Sequence, residues 1–151
     1  ANKATQLIGI IGFVATVFST FTVRKFKRRH IFIFGEAAMG FSLFLTSVYA
    51  YHQNSKACLA WMMIFTCFFQ TTMAPTHWVY LPEILTDAQF GFVATFHYCN
   101  GVELSLVTEY MIKGWKTQGT FLFYSLFTLS GVFWFYYVVK ETKGLTDKQK
   151  K

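Results

Sequence analysis

Charged residues and prolines are scarce in this sequence. Only 14% of the 151 residues are charged and two are proline, whereas 54% are hydrophobic and 21% are aromatic. Soluble domains usually contain about 25% charged residues, and a chain with this much apolar surface is not typical of intrinsic disorder. The scarcity of charge therefore argues against both a soluble globular domain and a disordered chain.

The residues that commonly build catalytic and metal sites are few and dispersed. The three cysteines lie in apolar stretches without CxxC spacing, so neither a disulfide framework nor a zinc site is indicated. No Ser/His/Asp or Cys/His arrangement and no phosphate-binding glycine loop is discernible. The four histidines fall on separate segments: His30, His52, His77 and His97. We therefore expect no enzyme, no cofactor and no bound metal.

Long apolar blocks make up most of the chain. They lie at approximately 4–23, 31–51, 57–81, 90–112 and 120–139. Each is close to the roughly 20 residues that a transmembrane helix needs, and none alternates apolar and polar residues for the length of a barrel strand. The pattern predicts an all-α membrane protein. We expect a single transmembrane domain over residues 1–151, with about five helices and a basic C-terminal tail at 140–151.

Two of the blocks are irregular. The third contains Pro75, and a proline inside a helix removes one backbone hydrogen bond and clashes with the preceding turn, so we expect a kink or break there. The fourth contains polar and ionisable groups, which are costly in hydrocarbon and should face the interior of the helix bundle. These groups are His97, Asn100, Glu103 and Glu109.

Positive charge is concentrated in two stretches. Of the 14 lysines and arginines, five lie in residues 24–29 (RKFKRR) and five in residues 140–151. Basic loops favour the inner side of a membrane, so both stretches should lie inside and the N-terminus outside, which requires an odd number of helices. A short loop between two membrane helices cannot enter a nucleic-acid groove. We expect no nucleic acid, and phospholipid head groups as the contacts of Arg24, Lys25 and Lys27.

The segment 73–80 combines Pro75 with Trp78 and polar neighbours. One interpretation is a ligand site, since an aromatic ring can stack on a sugar and a broken helix exposes backbone groups. The other is an interfacial anchor, because Trp and Tyr collect at the level of the lipid head groups. The residues by themselves favour the anchor.

Three motifs, RKFKRR at residues 24–29, APTHW at residues 74–78 and KETKG at residues 140–144, together resemble the sugar porter family of the major facilitator superfamily. Residues 24–29 stand where that family has a D-R-x-G-R-R loop between its eighth and ninth helices. Residues 74–78 (APTHW), followed by Glu83, are similar to the G-P-x-x-W pattern and inner Glu of its tenth helix. Residues 140–144 (KETKG) are similar to its terminal P-E-T-K-G. The resemblance covers nearly the whole chain and implies a partial C-terminal half, helices eight to twelve.

The resemblance also implies site residues. Trp78 matches the Trp that contacts sugar in the family. Four charged residues match positions of an inner-side charge network: Arg28, Arg29, Glu83 and Glu141. The motifs are eroded, because the family's Asp, Gly, Gly and Pro are replaced at four positions: Arg24, Lys27, Ala74 and Lys140.

The expected function depends on the helices of the sugar porter fold that have no counterpart in this sequence. Sugar porters have twelve helices in two halves, and transport is a rocking of one half against the other around a central site. Five helices have no second half to rock against. We therefore expect a non-transporting accessory or structural subunit of a larger membrane complex, bound to other membrane subunits and phospholipids. A mitochondrial respiratory-chain assembly in the inner membrane is the candidate.

The alternative is a C-terminal fragment or part of a functional hexose or proton-coupled sugar transporter. Sugar would then be its ligand, and the plasma membrane would be its location. A small channel or an enzyme-like protein is a third class, although five helices would line a pore only as an oligomer.

Overall fold

Helices are the only regular elements in the computed structural model, which describes residues 2–139. In chain order they are α1 (Asn2–Lys25), α2 (Arg28–Tyr51), α3 (Ser55–Phe68), a π-helical turn (Phe69–Met73), α4 (Ala74–Ile84) and α5 (Asp87–Val138). Four helical stretches of the described chain are long and apolar enough to cross a membrane: Gln6–Lys25, Arg28–Tyr51, Ser55–Ile84 and Asp87–Val138. The predicted all-α membrane fold class is confirmed. The basic tail at 140–151 lies outside the described residues.

The last helix, α5, is two antiparallel arms. A straight helix of its 52 residues would be about 78 Å long at about 1.5 Å per residue, far more than the ~30 Å hydrocarbon core of a bilayer. Lys116 interrupts it with non-helical angles, φ 60° and ψ 170°. The Thr108 and Tyr124 hydroxyls are 2.5 Å apart, which only a reversal of direction permits. The first arm (residues 87–115) and the second arm (117–138) correspond to the fourth and fifth predicted helices.

The predicted irregularity at Pro75 takes the form of the π-helical turn. Pro75 is at the start of α4, and the turn Phe69–Met73 directly precedes it. A π turn widens the helix locally, which accommodates a proline ring that would clash with a carbonyl of the preceding α-helical turn. The Thr72 hydroxyl also donates to the Phe68 carbonyl at 2.6 Å. The chain is therefore helical without a loop from Ser55 to Ile84.

Small and hydroxylated residues join α2 to the second arm. Ser47 donates to the Gln118 carbonyl, and Ser125 donates to the Gly40 carbonyl, both at 2.8 Å. Thr46 and Thr120 are 1% and 0% exposed. In lipid, helices associate through such close packing and interhelical hydrogen bonds, since the hydrophobic effect no longer favours contact. This antiparallel contact, which we call the α2–α5 seam, holds the second arm in place.

The polar groups of the first arm are not inside the bundle. The four residues that we expected to face the interior are all exposed: His97, Asn100, Glu103 and Glu109. Large apolar side chains beside them are exposed as well, with Phe92 at 74%. The prediction was wrong for this chain because the helices of the described residues do not surround the first arm.

Candidate functional site

The start of α2 is tied to the end of α4 by an ion pair. Arg28 Nη2 lies 3.0 Å from Glu83 Oε1, and the two side chains are only 14% and 19% exposed. Arg28 Nη1 also donates to the Val23 carbonyl of α1 at 3.3 Å. One guanidinium therefore joins the last turn of α1, the first turn of α2 and the last turn of α4. We call this arrangement the inner clasp.

Arg29 ties the same end of the bundle to the second arm of α5. Its Nη2 donates to the Tyr136 carbonyl at 2.6 Å, and its guanidinium lies 5.0 Å from the centre of the Tyr136 ring. The structure thus brings Arg28 and Glu83 together and directs Arg29 to a different helix. Glu141, the fourth residue of the expected charge network, lies outside the described residues. The network as a whole stays a prediction.

The other basic residues near the start of α2 lie at the surface of the described chain. Arg24, Lys25 and Lys27 are exposed and lie at the same end as the inner clasp. This position is compatible with phospholipid head groups, and their role there stays a prediction.

Trp78 lies where α4 faces the first arm. Its half-buried ring is stacked on Tyr98 with centroids 6.1 Å apart, and it meets Phe90 and His97 edge-on at 6.0 and 5.6 Å. The side chain is therefore part of an aromatic cluster between two helices. Sugar contact by Trp78 remains untested.

The structure also brings together two of the histidines that the sequence places on separate segments. The rings of His77 and His97 have centroids 5.3 Å apart and planes inclined at 31°. The Nε2 atom of His77 is buried and has no hydrogen-bond partner within the described chain. No local sequence motif could have indicated this pair, because its members lie on different helices.

Sequence reasoning missed Glu36, an acidic residue in the middle of α2. It is half-buried in the α2–α5 seam, where a Cβ atom added at Gly131 would come within 2.6 Å of Glu36 Oε1. The glycine leaves the space that the carboxyl group occupies. A single acidic residue inside the apolar block 31–51 was the available signal, since ionisable groups in membrane helices are rare.

Comparisons with known proteins agree with this architecture. The family described as "Sugar (and other) transporter" matches residues 3–149. The probable metabolite transport protein CsbC of Bacillus subtilis is 26% identical over 93% of this chain and 32% of its own length. The sugar transporter ERD6-like 6 of Arabidopsis thaliana is 29% identical, over 97% of this chain and 33% of its own.

A solved structure gives the same result for the fold. The inward-open xylose transporter XylE of E. coli superposes with a TM-score of 0.84 at 25% identity, over 97% of this chain and 34% of that one. The chain spans about one third of the length of the relatives that it matches. The resemblance to the sugar porter family that the three motifs indicated is confirmed. This chain belongs to the sugar (and other) transporter family, as part of a sugar porter of the major facilitator superfamily.

Proposed function

We propose that this chain forms the C-terminal part of a sugar-transporting membrane protein. The observation that carries the proposal is the superposition on a xylose transporter over 97% of the chain. The relatives are named as transporters. They favour the transport alternative over the accessory subunit of a mitochondrial respiratory-chain assembly that the sequence reasoning ranked first.

Trp78 supplies an aromatic surface for sugar in this proposal. Ligand sites are lined mainly by apolar and aromatic side chains with a few placed polar groups. The half-buried ring of Trp78 is held by Phe90 and Tyr98, and polar imidazoles adjoin it. The arrangement can therefore offer both a stacking face and hydrogen-bonding groups.

The inner clasp has a mechanical role in the proposal. Transporters of this architecture alternate by movements of rigid helix groups around a central site. By joining α1, α2 and α4 at one end, Arg28 and Glu83 make these helices move as one body. Exposed basic residues beside the clasp contact phospholipid head groups at the inner surface.

The exposed face of the first arm requires a covering partner. Asn100 and Glu103 are exposed on a helix that is apolar enough to span a membrane, and polar groups are costly against lipid. We infer that the remaining helices of the transporter, or a companion chain that supplies them, cover this face. The plasma membrane is the location that we propose for the assembly.

The test is sugar uptake by the full-length protein in yeast cells that lack their own hexose transporters, with labelled xylose, glucose and trehalose. The variant is Trp78→Ala. Its control is Trp134→Ala, since Trp134 is 66% exposed on the second arm. We expect uptake of at least one sugar and a loss of about tenfold for Trp78→Ala, equivalent to about 1.4 kcal/mol, with little loss for the control. No uptake of any of the three sugars, or equal uptake by both variants, contradicts the proposal.

A further inference from the structure

We propose that His77 and His97 form a binding site for a transition-metal ion, with Zn²⁺ as the ion that fits it best. In a tetrahedral zinc site each imidazole nitrogen lies about 2.1 Å from the metal, which places the centres of two such rings roughly 5 Å apart. The observed separation of the His77 and His97 centroids is 5.3 Å. This separation allows the two imidazoles to bind one ion together.

An unused nitrogen in this pair points independently to a ligand. His77 Nε2 is buried and makes no hydrogen bond to any described residue. Buried polar atoms are nearly always paired in native proteins. The lone pair of a neutral imidazole nitrogen is the commonest metal ligand in proteins, so a metal ion would supply the missing partner.

Neighbouring aromatic rings hold both imidazoles in place. The Trp78 ring meets His77 at 5.5 Å and His97 at 5.6 Å, both edge-on. Tyr98 also meets His97 edge-on at 5.7 Å. A metal site is effective when packing fixes the rotamers of its ligands beforehand, and this contact with Trp78 is common to both rings.

The number of ligands indicates a weak, exchangeable site. Within residues 2–139 there is no group of three His, Cys, Asp or Glu that could hold a metal. Two protein ligands leave two tetrahedral positions for water or another small ligand, unlike the four closed positions of a structural zinc site. Nitrogen ligands favour Zn²⁺ over Mg²⁺ and Ca²⁺, which take oxygen.

A bound ion would link α4 to the first arm beside Trp78. Since His77 is in α4 and His97 is in the first arm of α5, metal occupancy would restrict any movement between these two helices. Metal binding itself does not depend on sugar transport, so the two proposals can fail separately.

The experiment is a titration of the full-length protein in lipid nanodiscs with Zn²⁺, followed by competition with a chromogenic zinc indicator. We expect one ion per chain in the wild type. We expect affinity to fall at least about tenfold, or about 1.4 kcal/mol, in His77→Ala and in His97→Ala. His52→Ala is the matched control, because His52 is an exposed histidine just beyond the end of α2, and it should bind as the wild type does.

A second measurement guards against variants that do not fold. Co²⁺ added to the wild type should give the visible absorption of a tetrahedral site, and Mg²⁺ should not displace it. Absence of zinc binding by the wild type, or equal zinc affinity in His97→Ala and His52→Ala, would overturn the site.

Discussion

Arg28 Nη2 lies 3.0 Å from Glu83 Oε1, although the two residues are 55 positions apart in the sequence. Between them the chain runs the length of α2 in one direction and returns through α3 and α4. Arg28 is in the opening turn of α2 and Glu83 is in the closing turn of α4. Their contact requires that both turns lie at the same end of the bundle. This is the end at which the positive-inside rule places the basic loop.

Replacement of either Arg28 or Glu83 alone should destabilise the protein. Removal of one partner of a buried ion pair costs about 3–5 kcal/mol, because the other charge is left uncompensated. We expect the lower end of that range for Arg28→Ala and for Glu83→Ala, since both side chains retain some exposure, 14% and 19%. The free energies of unfolding of the two single variants and the double variant, measured in detergent, form the check. Additive losses would show that the two residues do not interact.

The α2–α5 seam should not accept a methyl group at Gly40. A Cβ atom there would lie 2.7 Å from the Leu129 side chain and 3.3 Å from the Leu129 backbone nitrogen. Overpacking of this kind typically costs about 1–3 kcal/mol. At Gly9 a Cβ atom meets nothing within 4 Å, so Gly9→Ala should be neutral or stabilising by about 0.5–1 kcal/mol from helix propensity. Thermal unfolding of both variants tests the difference, and equal stabilities would contradict this account of the seam.

The reversal between the arms of α5 should be more stable with glycine at Lys116. The backbone there has φ 60° and ψ 170°, a region that only glycine readily adopts and that costs other residues about 1–3 kcal/mol. We expect Lys116→Gly to raise the free energy of unfolding. Lys113→Gly, inside the first arm, should lower it by about 1 kcal/mol through the loss of helix propensity. If Lys116→Gly lowered the free energy of unfolding and Lys113→Gly raised it, the backbone at the reversal would not be strained.

The orientation in the membrane can be tested by thiol labelling. In a background without the native cysteines, Lys27→Cys lies between α1 and α2 and Gln53→Cys lies between α2 and α3. Because the basic loop should be inside, a membrane-impermeant maleimide should label Gln53→Cys in intact cells. It should label Lys27→Cys only after permeabilisation. The reverse pattern would refute the inside placement of the loop.

Most of the fold could be predicted from residue type alone. Blocks of about 20 apolar residues require helices in lipid, because every backbone polar group must be paired internally. The short basic run at 24–29 separates two such blocks and identifies their turn. The π-helical turn before Pro75 could not be predicted in detail. Proline removes one backbone hydrogen bond of a regular α-helix, and several local backbone geometries can accommodate that loss.

Much less of the candidate site was predictable. Motif likeness selected Arg28, Glu83 and Trp78, yet the pairing of Arg28 with Glu83 and the direction of Arg29 toward Tyr136 depend on how the helices pack. The sequence also predicted that Glu103 faces the bundle interior, whereas it is exposed in the structure. The presence of a polar residue in an apolar block indicates that its exposure to lipid is costly. It does not indicate whether the same chain provides the helix that covers it.

The sequence by itself determined the all-helical membrane character of this protein, its family and the concentration of basic charge in one short loop. These properties follow from the solvation of side chains and backbone in lipid, which acts on each segment locally. Only the tertiary structure decided that Arg28 meets Glu83, that His77 meets His97 and that Glu36 lies against Gly131. Each of these contacts joins segments that are distant in the chain, and therefore depends on how the helices pack against one another.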